Sequence, residues 1–370
     1  MKQIAIVLLL LFAAACKTTP SKALDTACNA NGCISLSQFS ANLDSALQGS
    51  AGYVTTVGAL AVVSKDGLAR TAADAPSRPM DTDLPTNVAS ISKLITTLGV
   101  LRSLASHNRS IEDKIAPFLP PDWTLGPNVD TITFRELLTH RAGFRDSGLQ
   151  PNNTYAGLQA QIATGVTLPN KAQALYNNLN FAIFRVLLPY MENFNDPGAA
   201  TRDSATAAFY VDYIRQNVME PAGITGAACK APAGTQKILS YPLPPGSTNG
   251  TDWGDWTSTC GAGGWVMTAA DIYKLLLALT GGTQLLTQPQ RAEMDANCLG
   301  WDCSVQIQTD FRGKNGILRA NDGKVWLYTF AGIFKGTVPV VVVVNSDTPN
   351  GANITSVVVQ AFQNAGVPTP

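Results

Sequence analysis

Apolar positions along this chain repeat in two ways, and the two kinds of repeat are segregated. From 35 to 47, Leu36, Phe39, Leu43 and Leu47 recur three and four apart, the spacing of one helical face. The runs 90–104, 134–138, 178–188 and 207–218 read the same way, the last three separated by long polar loops. Residues 269–279 predict another helix with Thr268 as its N-cap, and 352–366 a closing one. Strand patterns lie outside this helical middle. Residues 54–63 are β-rich and stop at Lys65-Asp66-Gly67, a tight-turn signal. Three late runs, 316–320, 324–334 and 338–345, are joined by Asn321-Asp322-Gly323 and Lys335-Gly336-Thr337, both hairpin signals. An early strand, a helical middle and a late meander predict an α+β domain built from both ends of the chain. Its α/β part covers 35–115 and 260–370, and a mainly helical subdomain, 116–259, is inserted between them. The excursion 230–259 is rich in Pro and Gly but holds Trp253 and Trp256, which linkers seldom carry, so it is expected either to line a site or to pack.

The N-terminus follows another rule. Met1-Lys2-Gln3, an apolar run from Ile4 to Ala15 and a break at Cys16-Lys17 describe a secretory signal over 1–15. The run is too short for a membrane span, which needs about 20 apolar residues. Ala13-Ala14-Ala15-Cys16 is similar to a bacterial lipobox, which implies lipidation of Cys16 and a lipoprotein facing the periplasm or cell exterior; ordinary cleavage after Ala15 would instead leave it soluble. Residues 16–34 are small and polar and read as a tether.

Composition narrows the partners. Of 370 residues only 14% are charged, and 26 Lys and Arg balance 26 Asp and Glu. With no basic stripe, nucleic acid is excluded as a partner, and a membrane enters only through the N-terminal anchor. Two histidines leave little room for a multi-His metal site, so neither metal nor organic cofactor is expected. A monomer with a small-molecule or peptidoglycan-like substrate is expected. Export permits disulfides. Setting Cys16 aside, proximity suggests Cys28–Cys33, Cys229–Cys260 and Cys298–Cys303 among 15 possible connectivities.

Three short motifs carry chemistry. Ser90-Ile91-Ser92-Lys93 opens an apolar helix, and residues three apart share a helix face, so hydroxyl and ammonium can meet. A serine needs a base to become a nucleophile, and a lysine serves only when burial or neighbouring charge lowers its pKa. The plainer reading makes Ser90 a helix cap. Tyr176-Asn177-Asn178 stands before another apolar helix, where a phenol can exchange protons if cations adjoin it. Asn178 can hold a substrate carbonyl or orient the lysine. Lys314-Asn315-Gly316 precedes the first late strand; Lys314 offers a cation to a carboxylate or a tyrosinate, and Gly316 lets a substrate approach the backbone.

In this order the motifs resemble the serine β-lactamase and penicillin-binding-protein superfamily, and within it the class C β-lactamase-like serine hydrolases and esterases. Residues 88–93 look like its nucleophile helix, and Ile132-Thr133-Phe134-Arg135-Glu136-Leu137-Leu138-Thr139-His140-Arg141-Ala142-Gly143-Phe144 matches its most recognisable segment. Glu220-Pro221-Ala222-Gly223-Ile224 and 261–271 match two more landmarks, so the likeness runs from about residue 50 to 362.

The resemblance implies a central antiparallel sheet flanked by helices, an acyl-enzyme on Ser90, Lys93 as its base or tuning group, and Tyr176 as the partner base that protonates the leaving group. It implies Asn178 on the substrate amide, Lys314 as a source of positive potential, and an oxyanion hole from the backbone N–H groups of Ser90 and Ile317. His140 belongs to a structural turn in that family and stays outside the site. The third motif departs from the usual Lys-Thr-Gly, because Asn315 replaces a hydroxyl that helps hold a substrate carboxylate. The substrate class therefore stays open among β-lactams, D-amino-acid peptides or amides and carboxylic esters. The rivals are an esterase without β-lactam activity and a non-catalytic, surface-tethered binding protein on the same fold.

Overall fold

The computed structural model describes residues 25–48, 58–63, 69–73, 80–145, 154–243, 250–302, 311–348 and 351–367. The signal, Cys16, the turn at 65–67 and Cys303 lie outside the described residues.

The central layer is a five-stranded antiparallel sheet assembled from both chain ends, ordered β4 (Ala69–Ala73), β3 (Ala59–Val63), β9 (Val338–Val344), β8 (Val325–Phe334) and β7 (Phe311–Arg319). Its middle strand, β9, reads Val-Pro-Val-Val-Val-Val-Val and is buried throughout. Successive side chains alternate faces, and they divide accordingly. Val338, Val340, Val342 and Val344 join a cluster with Phe39, Leu43 and Phe362, while Val341 and Val343 join the larger cluster on the other face. Pro339 is tolerated because β3 pairs only from Val340 onward, leaving Pro339 beyond that neighbour's reach.

One face is covered by α1 (Leu36–Leu47) and α11 (Ile354–Gln363), clamped through Phe39, whose ring lies 5.3 Å from that of Phe334 and 5.6 Å from that of Phe362. The opposite face carries α2 (Ile91–Ser106) and α9 (Ala269–Gly281). Helix α2 is buried on nearly every side over its first three turns, which marks it as a central helix. Gly99 lets α8 (Ala199–Ile214) approach it, since a Cβ there would fall 2.3 Å from Ile214 Cδ1. The two-stranded pair β5 (Thr86–Asn87) and β6 (Val266–Met267) ties the start of α2 to the start of α9. Between 116 and 259 the chain is helical or irregular: α3 (Phe134–Leu138), α4 (Tyr155–Thr164), α5 (Leu168–Lys171), α6 (Leu179–Ala182), α7 (Phe184–Met191) and α8 precede the tryptophan-bearing excursion. Among the described residues no helix is long and apolar enough to cross a membrane.

Two sequence expectations need correction, and one helix went unread. The tether read over 16–34 is folded from Asp25 on. Residues β1 (Thr26–Asn29) and β2 (Gly32–Ser35) form a hairpin with Cys28 opposite Cys33, bridged as a disulfide, and β10 (Gly366–Val367) adds a third strand. Four-residue strands of small and polar residues carry no readable alternation, and a local disulfide together with a strand from the far end of the chain supplies what side-chain burial does not. Lys314-Asn315-Gly316 lies inside β7 rather than before it, because Gly313, Gly316 and three cations hide the strand's period. Helix α10 (Gln288–Ala296) has only one buried residue, Met294, and so gave no apolar face to detect. The Cys229–Cys260 bridge is formed, and Cys298 is disulfide-bonded.

Because Phe39 joins α1, α11 and β8, Phe39→Ala is expected to cost about 3–5 kcal/mol, read as a lower denaturation midpoint with an unchanged slope in urea.

Candidate active site

Ser90 stands where the helix-cap reading put it, but its hydroxyl makes no capping bond. The preceding residue explains why. Ala89 has φ of +50°, a left-handed conformation that is costly for a residue with a Cβ. Three contacts hold it: the Ala89 N–H donates to Asn87 Oδ1 at 2.7 Å, the Val88 N–H to the Trp265 carbonyl at 2.8 Å, and Thr329 Oγ1 to the Val88 carbonyl at 2.8 Å. The strained turn presents Ser90 outward at the start of α2. Gly316 serves the same turn. A Cβ on it would lie 2.3 Å from Thr329 Oγ1 and 2.8 Å from both the Ala89 Cβ and the Val88 carbonyl. Its smallness lets β7 reach the nucleophile turn, whereas the sequence reading had assigned it to substrate approach.

Lys93, one turn along α2, is fully buried. Its Nζ donates to Ser90 Oγ at 3.0 Å, Asn178 Oδ1 at 2.8 Å and the Ala262 carbonyl at 2.5 Å. These three acceptors use all three ammonium donors, and none is a carboxylate. Burial accordingly pushes the Lys93 pKa below its ordinary value; the nearby charge of Lys314 adds to this and Tyr176 opposes it.

Tyr176 enters from the turn before α6, with its ring half exposed and its hydroxyl 2.6 Å from Ser90 Oγ. Ammonium groups lie 5.0 Å (Lys93) and 5.3 Å (Lys314) from its ring centre. Burial of the hydroxyl works to raise the phenol pKa, but the two cations and the bonds to Lys93 and Ser90 outweigh it, and the pKa falls below the ordinary phenol value. Ser90 thus meets two groups that both give up protons more easily than usual.

Lys314 departs from expectation in one respect. It is buried and paired with Asp302, a residue that sequence reasoning missed. Burial opposes its charge, but Tyr176 and Asp302 prevail and hold its pKa above the ordinary lysine value. The other Asp302 oxygen accepts the Asn315 N–H at 2.8 Å, and the Asp302 N–H donates to the Gly313 carbonyl at 2.8 Å. Those bonds fix the parity of β7. It is an edge strand, and residues 313 and 315 turn their backbone groups to its open side, so Ile317 does the same. Its N–H thereby faces the cleft that also holds Ser90, whose own N–H is among the donors a helix start leaves unpaired. No local pattern marks Asp302; its role comes from the bonds to Gly313, Lys314 and Asn315 that hold it against the open edge of β7.

His140 was left outside the site and does not approach the nucleophile. Its Nδ1 accepts the Asn177 N–H at 3.2 Å and Asn180 Nδ2 at 3.3 Å. Its ring nevertheless packs 4.4 Å from that of Tyr176. Burial first, then the Lys93 and Lys314 charges, hold its pKa well below the ordinary imidazole range, so it is neutral at pH 7.

Two cavities meet at Tyr176. In front of Ser90 lies a cleft of about 530 Å³, bounded by Asn178, Trp256, Ala262, Ile317 and Arg319. Behind the ring lies a cavity of about 420 Å³ lined by Lys93, Lys314, Asp302, His140 and Arg141. The tryptophans of the excursion part company. Trp256 lines the cleft, held by its backbone N–H to the Cys229 carbonyl at 2.9 Å beside the Cys229–Cys260 bridge and by its indole N–H to the Trp253 carbonyl at 2.7 Å. Trp253 packs against the core and donates to Ser240 Oγ at 2.8 Å.

The fold has counterparts among known proteins. A search of curated proteins returned no match. Among solved structures, a D-stereospecific amidohydrolase from Streptomyces sp. shares 18% identity at a TM-score of 0.62, over 87% of this chain and 98% of that one. A beta-lactamase/D-alanine carboxypeptidase from Yersinia pestis, complexed with citrate, shares 16% at 0.66, over 88% and 97%. EstCE1, a hydrolase with promiscuous acyltransferase activity, shares 15% at 0.60, over 87% and 98%. At such identities these likenesses concern the fold, which is the β-lactamase/transpeptidase-like α+β fold. The beta-lactamase family model matches residues 48–365, and with that match spanning most of its length this chain belongs to the beta-lactamase family of serine hydrolases.

Proposed function

We propose that the protein is an exported hydrolase of carboxylic esters and amides that works through an acyl-enzyme on Ser90. The observation that carries this reading is the position of Ser90 Oγ, 2.6 Å from the Tyr176 hydroxyl and 3.0 Å from Lys93 Nζ. In the first half-reaction Oγ attacks the acyl carbonyl, and its proton passes to the Lys93–Tyr176 pair. The carbonyl oxygen takes the negative charge and is held by the Ser90 and Ile317 N–H groups, a kind of interaction worth about 3–4 kcal/mol per donor. The bond to the leaving group then breaks, and Tyr176 returns the proton to the departing oxygen or nitrogen. In the second half, water gives a proton to the same pair as it attacks the acyl-enzyme, and the pair returns that proton to Ser90 Oγ as the ester bond breaks and the acid leaves. Asn178, fixed by Lys93 through its Oδ1, stands at the cleft wall to meet the substrate amide.

Two features favour esters and amides over β-lactams. Asn315 removes the hydroxyl that would help hold a lactam carboxylate, and Asp302 already occupies Lys314. The intact hydrogen-bonded set from Ser90 to Lys93, Tyr176 and Asn178 speaks against a non-catalytic binding protein, which has no need of a buried lysine aimed at a serine. The disulfides fit an oxidising compartment outside the cytoplasm.

Turnover of p-nitrophenyl butyrate and of nitrocefin on one preparation tests the substrate class: the ester is expected to turn over faster, and Ser90→Ala to abolish its turnover. Faster nitrocefin hydrolysis would reverse the preference, and unaltered turnover in Ser90→Ala would remove the nucleophile. The pair that accepts the Ser90 proton makes a second prediction. Its activity requires a deprotonated site, so kcat/KM rises with pH through an apparent midpoint below about 10, the ordinary phenol value, belonging to the coupled pair. Removing the Lys314 charge makes both Lys93 and Tyr176 harder to deprotonate, so Lys314→Gln moves that midpoint upward in a pH–rate profile. A downward shift contradicts the assignment.

A further inference from the structure

The cleft in front of Ser90 has one charged side chain in its lining, Arg319, and no acid. Its remaining walls are Ala89, Trp256, Ala262, Ile317 and Leu318 with a few neutral polar groups. Arg319 is exposed, and its guanidinium donates to the Gly323 carbonyl at 3.0 Å. Among the described residues it forms no ion pair. The acids nearest in the sequence or through Tyr328 are engaged elsewhere: Asp322 accepts the Lys324 N–H at 2.9 Å and faces Lys324 Nζ at 3.9 Å, while Asp347 accepts the Tyr328 hydroxyl at 3.2 Å and the Thr348 N–H at 2.8 Å. The lining of the cleft therefore carries one positive charge and no negative one.

The strand says which end of the substrate meets that charge. Lys314, beside Tyr176, marks the leaving-group end, because Tyr176 protonates the departing atom. Ile317 marks the oxyanion. Arg319 lies two residues further, roughly 7 Å along the strand at 3.3 Å per residue, on the side of the carbonyl away from Tyr176. Trp256 borders the same cleft, and it packs on Gly264, where a Cβ would fall 2.5 Å from the Trp256 Cβ. We propose that Arg319 selects acyl groups ending in a carboxylate, with Trp256 covering the apolar stem between that carboxylate and the scissile carbonyl. The proposal rests on the hydrolase reading above and names its substrate class: ω-carboxyacyl esters and amides. Hydrolysis then releases a dicarboxylic acid and an alcohol or amine, with both carboxylates on the acyl side. A guanidinium matches a carboxylate with two parallel donors, so the preference also depends on fork geometry and not only on charge.

Two p-nitrophenyl esters test this on the full chain: the mono-ester of adipic acid, and the same ester with its free carboxylate replaced by a carboxamide. The leaving group is identical, so their kcat/KM ratio reads the acyl-side charge alone. The ratio is expected to be about 10 or more in the wild type, to shrink as salt is raised, to fall to near one in Arg319→Gln and to recover in part in Arg319→Lys. Labelling of Ser90 by a fluorophosphonate shows that each variant retains its folded site. A wild-type ratio near one, or a large ratio that survives Arg319→Gln, overturns the proposal while leaving the hydrolase reading standing. Failure of both esters together with failure of the fluorophosphonate to label Ser90 overturns both.

Discussion

The site is organised by one buried ammonium. Lys93 has no carboxylate against it among the described residues; its three protons go to a hydroxyl, a side-chain amide and a backbone carbonyl. Each acceptor comes from a different part of the chain: Ser90 from the start of α2, Asn178 from the helical subdomain, and Ala262 from the segment leading back to the sheet. Burying a cation is costly unless its donors are met, so the three segments are held in a fixed relation by the same group that activates the nucleophile. Removing any acceptor leaves a donor of a buried charge unmet. An Asp or Glu in place of one of these neutral acceptors would favour the ammonium and take away its readiness to accept a proton.

A second constraint works on the backbone. The left-handed Ala89 turns the chain sharply before α2, and it is held by Asn87, Trp265 and Thr329. Strand β8 supplies Thr329, the β5–β6 pair supplies Asn87 and the Trp265 contact, and β7 comes close only because residue 316 is glycine. The sheet is thus the support against which the strained turn is pressed, and the packing of α1 and α11 on its far face keeps that support rigid. Stability in one layer is converted into the position of a hydroxyl in another.

Much of this was readable in the sequence, for identifiable reasons. The Ser90–Lys93 spacing is a local property of a helix, and the buried α2 announces itself by its apolar run. The late meander and its turns were visible because β-branched runs and Asn-Asp-Gly carry their own signals. The residues that escaped act through distant pairing. Asp302 is set against Lys314 by β7 and its approach segment, and the hairpin at 26–35 depends on a disulfide and on a strand from the opposite end of the chain. His140 was legible as a turn residue, and its φ of +57° agrees, but its packing on Tyr176 depends on how two turns stack in space. Nothing local singles out Arg319, a charge beside a hairpin; only its place in the cleft lining distinguishes it.

The central claim is that Ser90 is the atom acylated and that the buried lysine makes it so. Intact-protein mass spectrometry after rapid acid quenching of a p-nitrophenyl ester reaction, followed by mapping of the modified peptide, tests that claim most directly. The account predicts one acyl group per chain, located on the peptide containing Ser90 and lost with time as water deacylates it. An adduct that maps to any other residue, or ester turnover with no covalent adduct at any quench time, would contradict it.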